Sequence, residues 1–378
     1  MKIDFIDSIN DISAIDWQRL NESLNPLSSY EFLKAMEDSA SASKVRGWQP
    51  HHLTISDDDN VAAILPLYIK DNSWGEYVFD WGWAEAYQNN GLSYYPKLVS
   101  TLPFTPVTSE KLITNTLCQT DVFSLLTEHC QQHSFNSWHL LFCPPVANIP
   151  DDVFLRHTVQ FHWFNRQYRD FEDFISTFSS RKRKNTRKER LSISQQGIKI
   201  RRIMGIDISP EDLNFFYLTY QLTYLKKGHQ PHLTIEFFQH ILTSQPDNIL
   251  LIIASKADEN VACSLFFYDN KQLYGRYWGC TEQVNNLHFE LCYYQGIEFC
   301  LENNITSFNP GTQGEHKIQR GFEPILTNSY HWVKHPAFKG AIKDFCQQER
   351  QQTKSYLNQC QQALPYRDYD ELLERATC

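Results

Sequence analysis

A short loop bounded by two glycines, Gly311 and Gly314, holds the residues of this chain best suited to chemistry. Glycine permits a tight turn that brings the backbone close to a ligand. The polar side chains in and after this turn are Gln313, Glu315, His316, Lys317 and Arg320. Carboxylate, imidazole and amine groups transfer protons, so we predict catalytic roles for Glu315, His316 and Lys317 and substrate contacts for Gln313 and Arg320. A surface ion network is the alternative.

A second polar group lies on a predicted helix from about 286 to 302. Apolar residues cover nearly every face of this helix, which predicts that it is buried. Burial of Glu290 would raise the pKa of its carboxyl group and suit it to general-base catalysis, and we predict that Tyr293 contacts substrate. The alternative is a structural ion pair between Glu290 and either Arg276 or Lys317.

The strand before this helix, 272–278, leads through a loop at 279–285 to the helix start. Free backbone N–H groups at a helix start bind anions such as a cofactor phosphate. We therefore predict a cofactor site at the end of this strand, made by Arg276, Tyr277, Trp278 and Gly279. A CoA-type donor would enter an opening between the strands near 250–255 and 305–309.

The charge of the chain is unevenly distributed. Its 35 Lys and Arg residues stand against 44 Asp and Glu, a net charge of −9. Seven of the basic residues fall within 181–190, so the rest of the chain carries 28 basic and 43 acidic residues, a net charge of −15. If this segment is helical, Arg183, Arg187 and Arg190 share one face.

We predict that the basic segment contacts an anionic substrate through Arg181, Arg183, Lys184 and Arg187. The candidate anions are the diphosphate of a nucleotide- or lipid-linked precursor, a tRNA backbone and an anionic membrane surface. The alternative is a solvated helix. In the first half of the chain, an aromatic and basic group formed by Trp83, Tyr94, Tyr95 and Lys97 is predicted to hold an acceptor substrate, although aromatic packing would also explain part of it.

Composition narrows the class of protein. The chain has 378 residues and 42% hydrophobic residues, which excludes a disordered chain and predicts two domains. Its ten cysteines show neither a C-x-x-C pair nor zinc-finger spacing, so we predict no metal site and a reducing compartment. The start of the chain lacks a signal pattern, and the apolar stretches, such as 249–254, are too short to span a membrane. We predict a cytoplasmic protein.

Both halves of the chain show the same order of elements. In the first half, short apolar segments at 52–55, 61–69 and 76–79 predict an antiparallel meander, followed by a helix near 120–133 and a strand at 138–142. Strands, a helix and a further strand recur in the second half. We predict an N-terminal domain at 1–150, a second domain at 151–340 and a helical tail at 341–378.

Longer motifs resemble a known family. They are YYPKL (94–98), PFTPVT (103–108), RKRKNTRKER (181–190), LYGRYWG (273–279), LHFELCYYQGIEF (287–299), PGTQGEHKIQRGFEP (310–324) and SYHWV (329–333). Together they are similar to the Fem-related branch of the GNAT superfamily, the peptidoglycan biosynthesis or recognition proteins. Thr312 stands where a small residue such as Ala is expected in the family's loop.

The resemblance implies two tandem GNAT-like (acyl-CoA N-acyltransferase) domains of the α+β class, with mixed, mostly antiparallel sheets flanked by helices. It also implies an acyltransferase that uses acyl-CoA or aminoacyl-tRNA as donor and an amine as acceptor, such as a cell-wall precursor. The resemblance is also compatible with peripheral contact between the protein and a membrane. The alternatives are a non-catalytic module that binds a cell-wall or polyanionic ligand and an acetyl-CoA-dependent N-acetyltransferase of a small metabolite.

Overall fold

The computed structural model describes residues 2–57, 60–115, 117, 119–312 and 314–375. Its strands are β1 (Lys2–Ile6), β2 (Gln49–Pro50), β3 (His52–Asp57), β4 (Asn60–Leu65), β5 (Tyr68–Lys70), β6 (Lys97–Ser100), β7 (Ile113–Thr114), β8 (Ser137–Cys143), β9 (Phe154–Phe164), β10 (Ile198–Met204), β11 (Ile249–Lys256), β12 (Glu259–Tyr268), β13 (Gln272–Cys280), β14 (Ser307–Asn309) and β15 (Glu323–Val333).

The helices lie mainly between the strands. They are α1 (Ala14–Leu20), α2 (Tyr30–Asp38), α3 (Trp81–Asn89), α4 (Gln119–Gln132), α5 (Phe171–Ser176), α6 (Ser180–Gln195), α7 (Pro210–Leu225), α8 (Ile235–Ser244), α9 (Leu287–Phe289), α10 (Gln295–Glu302), α11 (Pro336–Gln362) and α12 (Tyr369–Arg375). A π-helical segment, Glu290–Tyr294, joins α9 to α10, and a 3₁₀ turn occupies Glu315–Arg320.

The chain divides into two compact units. The first unit comprises Met1–Ser23, Leu27–Val159 and Leu326–Tyr356. The second unit comprises Leu24–Pro26, Gln160–Ile325 and Leu357–Cys378. This division differs from the predicted boundary at 340, because residues 326–356 fold with the first unit although the segments on both sides of them belong to the second.

The first unit contains an antiparallel sheet of order β1–β3–β4–β7 and the strands β15–β8–β6–β5–β2. Within the second set, β6 and β8 run parallel and the neighbouring pairs run antiparallel. Helix α4 packs on this part of the fold, where the ring of Phe123 stacks on Trp138 at a centroid distance of 5.2 Å. Apolar burial of this kind is the main source of stability for such a unit.

The second unit contains, in this order, the strands β10–β11–β12–β13–β14 and the last part of β9, residues 160–164. The pairs are antiparallel except for β13 and β14, which run parallel. Helix α7 begins at Pro210 and is capped by Ser209, whose hydroxyl accepts a hydrogen bond from the N–H of Asp212. The predicted α+β class with mostly antiparallel pairing is confirmed.

Two strand predictions in the first unit differ from the structure. The segment 61–69 is not one strand, because Pro66 lies between the end of β4 and the start of β5, and proline cannot donate a hydrogen bond to a sheet. The segment 76–79 is not a strand either, since Tyr77 adopts a left-handed backbone with φ 63°. The predicted tail helix is α11, which begins at Pro336.

Candidate active site

Strands β13 and β14 separate in the second unit. They pair over Gln272–Tyr274 and Ser307–Asn309, after which β13 continues to Cys280 while the chain leaves β14 for the glycine loop. This loop passes close to β13, since a Cβ atom at Gly311 would lie 3.2 Å from the carbonyl oxygen of Gly275. The predicted opening beside 250–255 was therefore assigned to the wrong strand, because β11 is two strands away from β13.

Lys317 lies buried beside this loop. The residue is 1% exposed, and its Nζ donates to the carbonyl oxygens of Gly311 at 2.6 Å and Thr312 at 3.2 Å. Burial lowers the pKa of the Lys317 amine to about 7, with Cys292 acting against this shift and the charge of Arg276 adding to it. Lys317 therefore holds the loop and changes charge near neutral pH.

His316 and Tyr293 form a close pair next to Lys317 along the chain. The Nε2 atom of His316 lies 2.7 Å from the hydroxyl oxygen of Tyr293. Burial and the charges of Lys317 and Arg320 lower the pKa of His316, and burial raises the pKa of Tyr293. A neutral imidazole and a neutral phenol in contact can pass a proton between them.

His288 adds a second imidazole to this group. Its ring lies 5.4 Å from Tyr293 and 5.9 Å from His316, and it makes an edge contact with Trp278 of β13 at 5.2 Å. Burial, with the charges of His316, Lys317 and Arg320, lowers the pKa of His288 to about 4. The strand, the helical segment and the loop thus contribute side chains to one site.

The π-helical segment carries Tyr293 into this site. Its i→i+5 bond runs from the N–H of Gln295 to the carbonyl oxygen of Glu290. The carbonyl oxygen of Leu291 is bound from outside the helix by the Ser264 hydroxyl of β12 at 3.0 Å. Such π-helical insertions often occur at functional sites. The segment is the irregularity that sequence periodicity did not predict.

Arg320 anchors the turn rather than standing open to substrate. Its Nη2 donates to the Glu189 carboxylate of α6 at 2.9 Å, and its Nη1 donates to the main-chain oxygen of His316 at 2.7 Å. The guanidinium lies 3.4 Å from the ring centroid of Phe289, and the Tyr294 hydroxyl also donates to Glu189. Glu189 thus holds both the turn and the π segment.

Glu290 is held by an ion pair, although the predicted partners were wrong. Its carboxylate accepts from Nη2 of Arg190 at 2.9 Å and from the Gln295 amide at 2.8 Å, not from Arg276 or Lys317. Arg190 also binds Glu298 at 2.6 Å. These contacts occupy Glu290 and favour the structural alternative over the predicted general base.

The basic segment forms α6, but its arginine face is not free to bind phosphate. Arg190 is engaged as described, Arg187 pairs with Glu172 at 2.5 Å, and Arg183 donates to the carbonyl oxygen of Ser176 at 3.3 Å. The predicted substrate contacts of Arg183 and Arg187 therefore lose support. The exposed basic residues of this helix are Arg181, Lys184, Arg187 and Lys188.

The four predicted cofactor residues separate into two pairs. Trp278 contacts His288, and Arg276 lies near enough to Lys317 to influence its pKa, so both belong to the site. Tyr277 is 8% exposed and packs among aromatic rings of α7 and α8. A Cβ atom at Gly279 would lie 2.2 Å from the carbonyl oxygen of Thr219, so this glycine serves the packing of α7 on β13.

The predicted acceptor residues of the first unit form a buried polar network. Nζ of Lys97 bonds to Glu76 at 2.8 Å and to Asp80 at 2.5 Å, and the Tyr94 hydroxyl donates to Asp80 at 2.6 Å. The Tyr95 hydroxyl lies 2.9 Å from the oxygen of Ser73, and Trp83 is 6% exposed. Trp83, Tyr94 and Lys97 are buried, and their contacts favour the alternative of internal packing over the predicted contact with an acceptor.

In the first unit, the chain beyond the parallel strands β6 and β8 is arranged differently from the chain beyond β13 and β14 in the second unit. The chain after β6 packs back, with the N–H of Ser109 donating to the carbonyl oxygen of Phe142 at 3.1 Å and Nζ of Lys111 donating to the same oxygen at 2.9 Å. Burial lowers the pKa of Lys111 to about 8. The segment after β6 therefore covers the end of β8, and the candidate site lies in the second unit.

Two predicted residues remain. Glu315 is exposed at the start of the 3₁₀ turn, and Gln313 lies outside the described residues. Sequence reasoning missed the anchoring role of Glu189, although its place as the single acid in a basic run was the available signal.

No helix in the described ranges is long and apolar enough to cross a membrane.

Solved structures resemble this chain in fold. A conserved protein of unknown function from Bacteroides thetaiotaomicron VPI-5482 is 12% identical, with a TM-score of 0.52 over 88% of this chain and 100% of that one. The C-terminal domain of a putative lysylphosphatidylglycerol synthetase from Agrobacterium fabrum is 9% identical, with a TM-score of 0.53 over 89% of this chain and 96% of that one. FemX is 11% identical, with a TM-score of 0.47 over 91% and 100%.

No curated protein matches the sequence. A family model described as peptidoglycan biosynthesis/recognition, FemAB-like, matches residues 8–368. In each unit the predicted strands, helix and further strand occur in this order, and the structure shows the further strand paired in parallel with a neighbour. The tandem GNAT-like fold is confirmed. The chain belongs to the FemAB-like family.

Proposed function

We propose that the second unit transfers an acyl or aminoacyl group from an activated donor to an amine. The observation that carries this proposal is the contact of Tyr293 with His316 beside the separation of β13 and β14. Membership of the FemAB-like family supports a transferase of this class. The donor is a thioester such as acyl-CoA or the ester of an aminoacyl-tRNA, and the acceptor amine belongs to a cell-wall precursor or a related small molecule.

The proton balance of this reaction fits the pair. The new bond joins the amine nitrogen to the acyl carbon, and the bond from that carbon to sulfur or oxygen breaks. Nδ1 of His316 takes the proton of the attacking amine, Nε2–H passes a proton to the Tyr293 oxygen, and the Tyr293 hydroxyl proton goes to the leaving group. Lys317 keeps the loop in place, and we assign Glu315 to contact with the acceptor.

Transfer assays with acetyl-CoA and aminoacyl-tRNA as donors and a UDP-linked muropeptide as acceptor test this proposal. With the active donor, His316→Gln and Tyr293→Phe should each lower kcat by roughly 10²–10⁴-fold. Asp258→Asn is a matched control, because Asp258 forms an exposed ion pair with Lys199 away from the site. Full activity in both site variants would refute the assigned roles. The melting temperature of the protein should also rise when a true donor or acceptor binds. If none of these compounds raises it, the main support for a transferase is lost.

A binding module for a polyanion is the second candidate, and the exposed cations of α6 favour it. Replacement of Arg181, Lys184 and Lys188 by alanine should weaken tRNA binding and reduce the slope of log K against log salt by roughly 2, since each lost phosphate contact removes about 0.7–0.9. The matched control is Arg187→Ala, because Arg187 is already paired with Glu172. An unchanged slope in the triple variant would refute polyanion binding at α6.

A further inference from the structure

An open cavity of about 430 Å³ lies beside α6 in the second unit. Its walls are formed by residues of α5, α6 and β10 and by Glu290, the first residue of the π-helical segment. This volume falls in the range of pockets that hold small molecules, roughly 300–1,000 Å³. The transfer reaction proposed above does not use this cavity.

Much of the cavity lining is apolar. The buried and partly buried apolar residues that line it are Phe171, Ile193, Ile198 and Ile200. Leu191 adds a side chain that is 57% exposed, although the helix that carries it is otherwise strongly polar. An apolar group that enters the cavity removes this lining from water, which is favourable. The cavity therefore favours a ligand with an apolar body.

The charged side chains of the cavity wall are paired within the fold. Arg190 binds Glu290, whose side chain is 4% exposed, and its guanidinium lies 4.4 Å from the ring centroid of Phe171. Arg187 pairs with Glu172 at the more exposed end of the cavity. These pairs balance their own charges, so a charged group on a ligand gains most at the mouth of the cavity.

Two exposed lysines of α6 lie next to this mouth. Lys184 is three residues before Arg187, and Lys188 is three residues before Leu191, so each lysine shares a helix face with a residue of the cavity. Together with Arg187 the two lysines bring three positive charges to this end, where Glu172 brings one negative charge. A local excess of positive charge attracts an anionic group.

We propose that the cavity binds a single-chain anionic amphiphile of the fatty-acid class, with its alkyl chain against Leu191 and Ile200 and its carboxylate at Lys184 and Lys188. An anion without an alkyl chain leaves the apolar lining in water, and a neutral chain gains nothing from the lysines. Full affinity therefore requires both parts of the ligand. Binding of such a ligand does not require the proposed transfer reaction.

Calorimetric titration of the whole chain with hexanoate, octanoate and decanoate tests this site. The affinity should rise by about fourfold for each added CH₂ group, because each one buries further apolar surface. Octan-1-ol and inorganic phosphate carry only the chain or only the charge, so both should bind more weakly than octanoate. Absence of decanoate binding would overturn the proposal, and so would equal affinities for hexanoate and decanoate or for octan-1-ol and octanoate.

Two variants locate the two parts of the ligand. Leu191→Gln removes the exposed apolar side chain and should weaken decanoate binding by roughly tenfold. The matched control is Leu218→Gln, because Leu218 is also exposed, at 48%, but lies on α7. A double variant with Lys184→Gln and Lys188→Gln should weaken octanoate binding and leave octan-1-ol binding unchanged.

The variants can also overturn the site. If Leu191→Gln leaves decanoate binding unchanged, or if Leu218→Gln weakens it equally, the alkyl chain lies elsewhere. If the double lysine variant binds octanoate as tightly as the wild type does, the carboxylate is not held by α6.

Discussion

Glu189→Gln is the change that best tests the internal anchor of the candidate site. The side chain of Glu189 is 26% exposed and that of Arg320 is 8% exposed, so their ion pair is partly shielded from water. Glutamine keeps the shape of the side chain and one acceptor oxygen but loses the charge. The substitution therefore removes charge-assisted bonds without leaving a cavity.

The contacts set the expected size of the effect. The Glu189 carboxylate accepts from Arg320 Nη2 at 2.9 and 3.0 Å and from the Tyr294 hydroxyl. A hydrogen bond to a charged group contributes about 1.5–3 kcal/mol, and the substituted glutamine would retain part of this set. We expect the free energy of unfolding to fall by about 2–3 kcal/mol, which for a unit of this size corresponds to a melting temperature lower by roughly 4–12 °C.

The same substitution should affect catalysis through the turn. Arg320 holds the main-chain oxygen of His316, so its release allows the imidazole to move away from Tyr293. A displacement of about 1 Å can cost about 10²-fold in rate. We expect kcat of the transfer reaction to fall by roughly 10- to 100-fold, with KM changed less than about twofold.

Glu172→Gln is the matched control, because it removes the carboxylate from another ion pair of α6. Glu172 pairs with Arg187, but their side chains are 62% and 55% exposed. Exposed pairs contribute about 0.2–1 kcal/mol, so this variant should retain kcat and unfold within about 4 °C of the wild type. Differential scanning calorimetry and steady-state kinetics measure both variants. Equal melting temperatures for the two variants would refute the anchoring role of Glu189.

Three further outcomes follow from the site and its packing. The proton-accepting role of His316 requires a neutral imidazole, and burial lowers the pKa of this residue. The value of kcat/KM should therefore fall only as the pH drops below about 6.5. A midpoint of the pH profile above that value would contradict the role. The pKa of Lys317 in the folded chain is about 7, far below its ordinary value, so above that pH the unfolded chain binds one more proton than the folded chain. The free energy of unfolding should therefore rise from pH 7 to 10, and Lys317→Met should reduce this rise in urea titrations. Gly279→Ala should destabilise the protein by about 1–3 kcal/mol through the clash with Thr219, while Gly82→Ala, where a Cβ atom meets open space, should not; equal stability of the two variants would refute the packing role.

Local patterns predicted much of the second unit. The segments 249–255, 261–268 and 272–278 became β11, β12 and β13, because each is apolar and bounded by turn residues. Strand β9 and helix α3 were not predicted. Their sequences, FLRHTVQFHWF and WGWAEAYQN, mix polar and aromatic residues without clear periodicity, and packing decides their structure.

The sequence predicted that the glycine-bounded loop belongs to the site, but it did not predict the roles of the residues in that loop. Glycines and clustered polar groups mark a loop such as 311–320 in the sequence. Which side chains in it are free depends on partners far away, since Glu189 and Arg320 are 131 positions apart. Sequence periodicity cannot show such a partner, so Arg320 was assigned to substrate although the structure engages it in an anchor.

The same long-range pairing changes how the charge of the basic segment should be counted. Arg190 reaches Glu290 across 100 positions and Arg187 reaches Glu172, so two of the seven cations are balanced by carboxylates within the second unit. The remaining attraction for an anion comes from Arg181 and the lysines of α6 at the exposed surface. Because pairing inside the fold neutralises charge first, a cationic run in an acidic protein predicts anion affinity only after its internal partners are known.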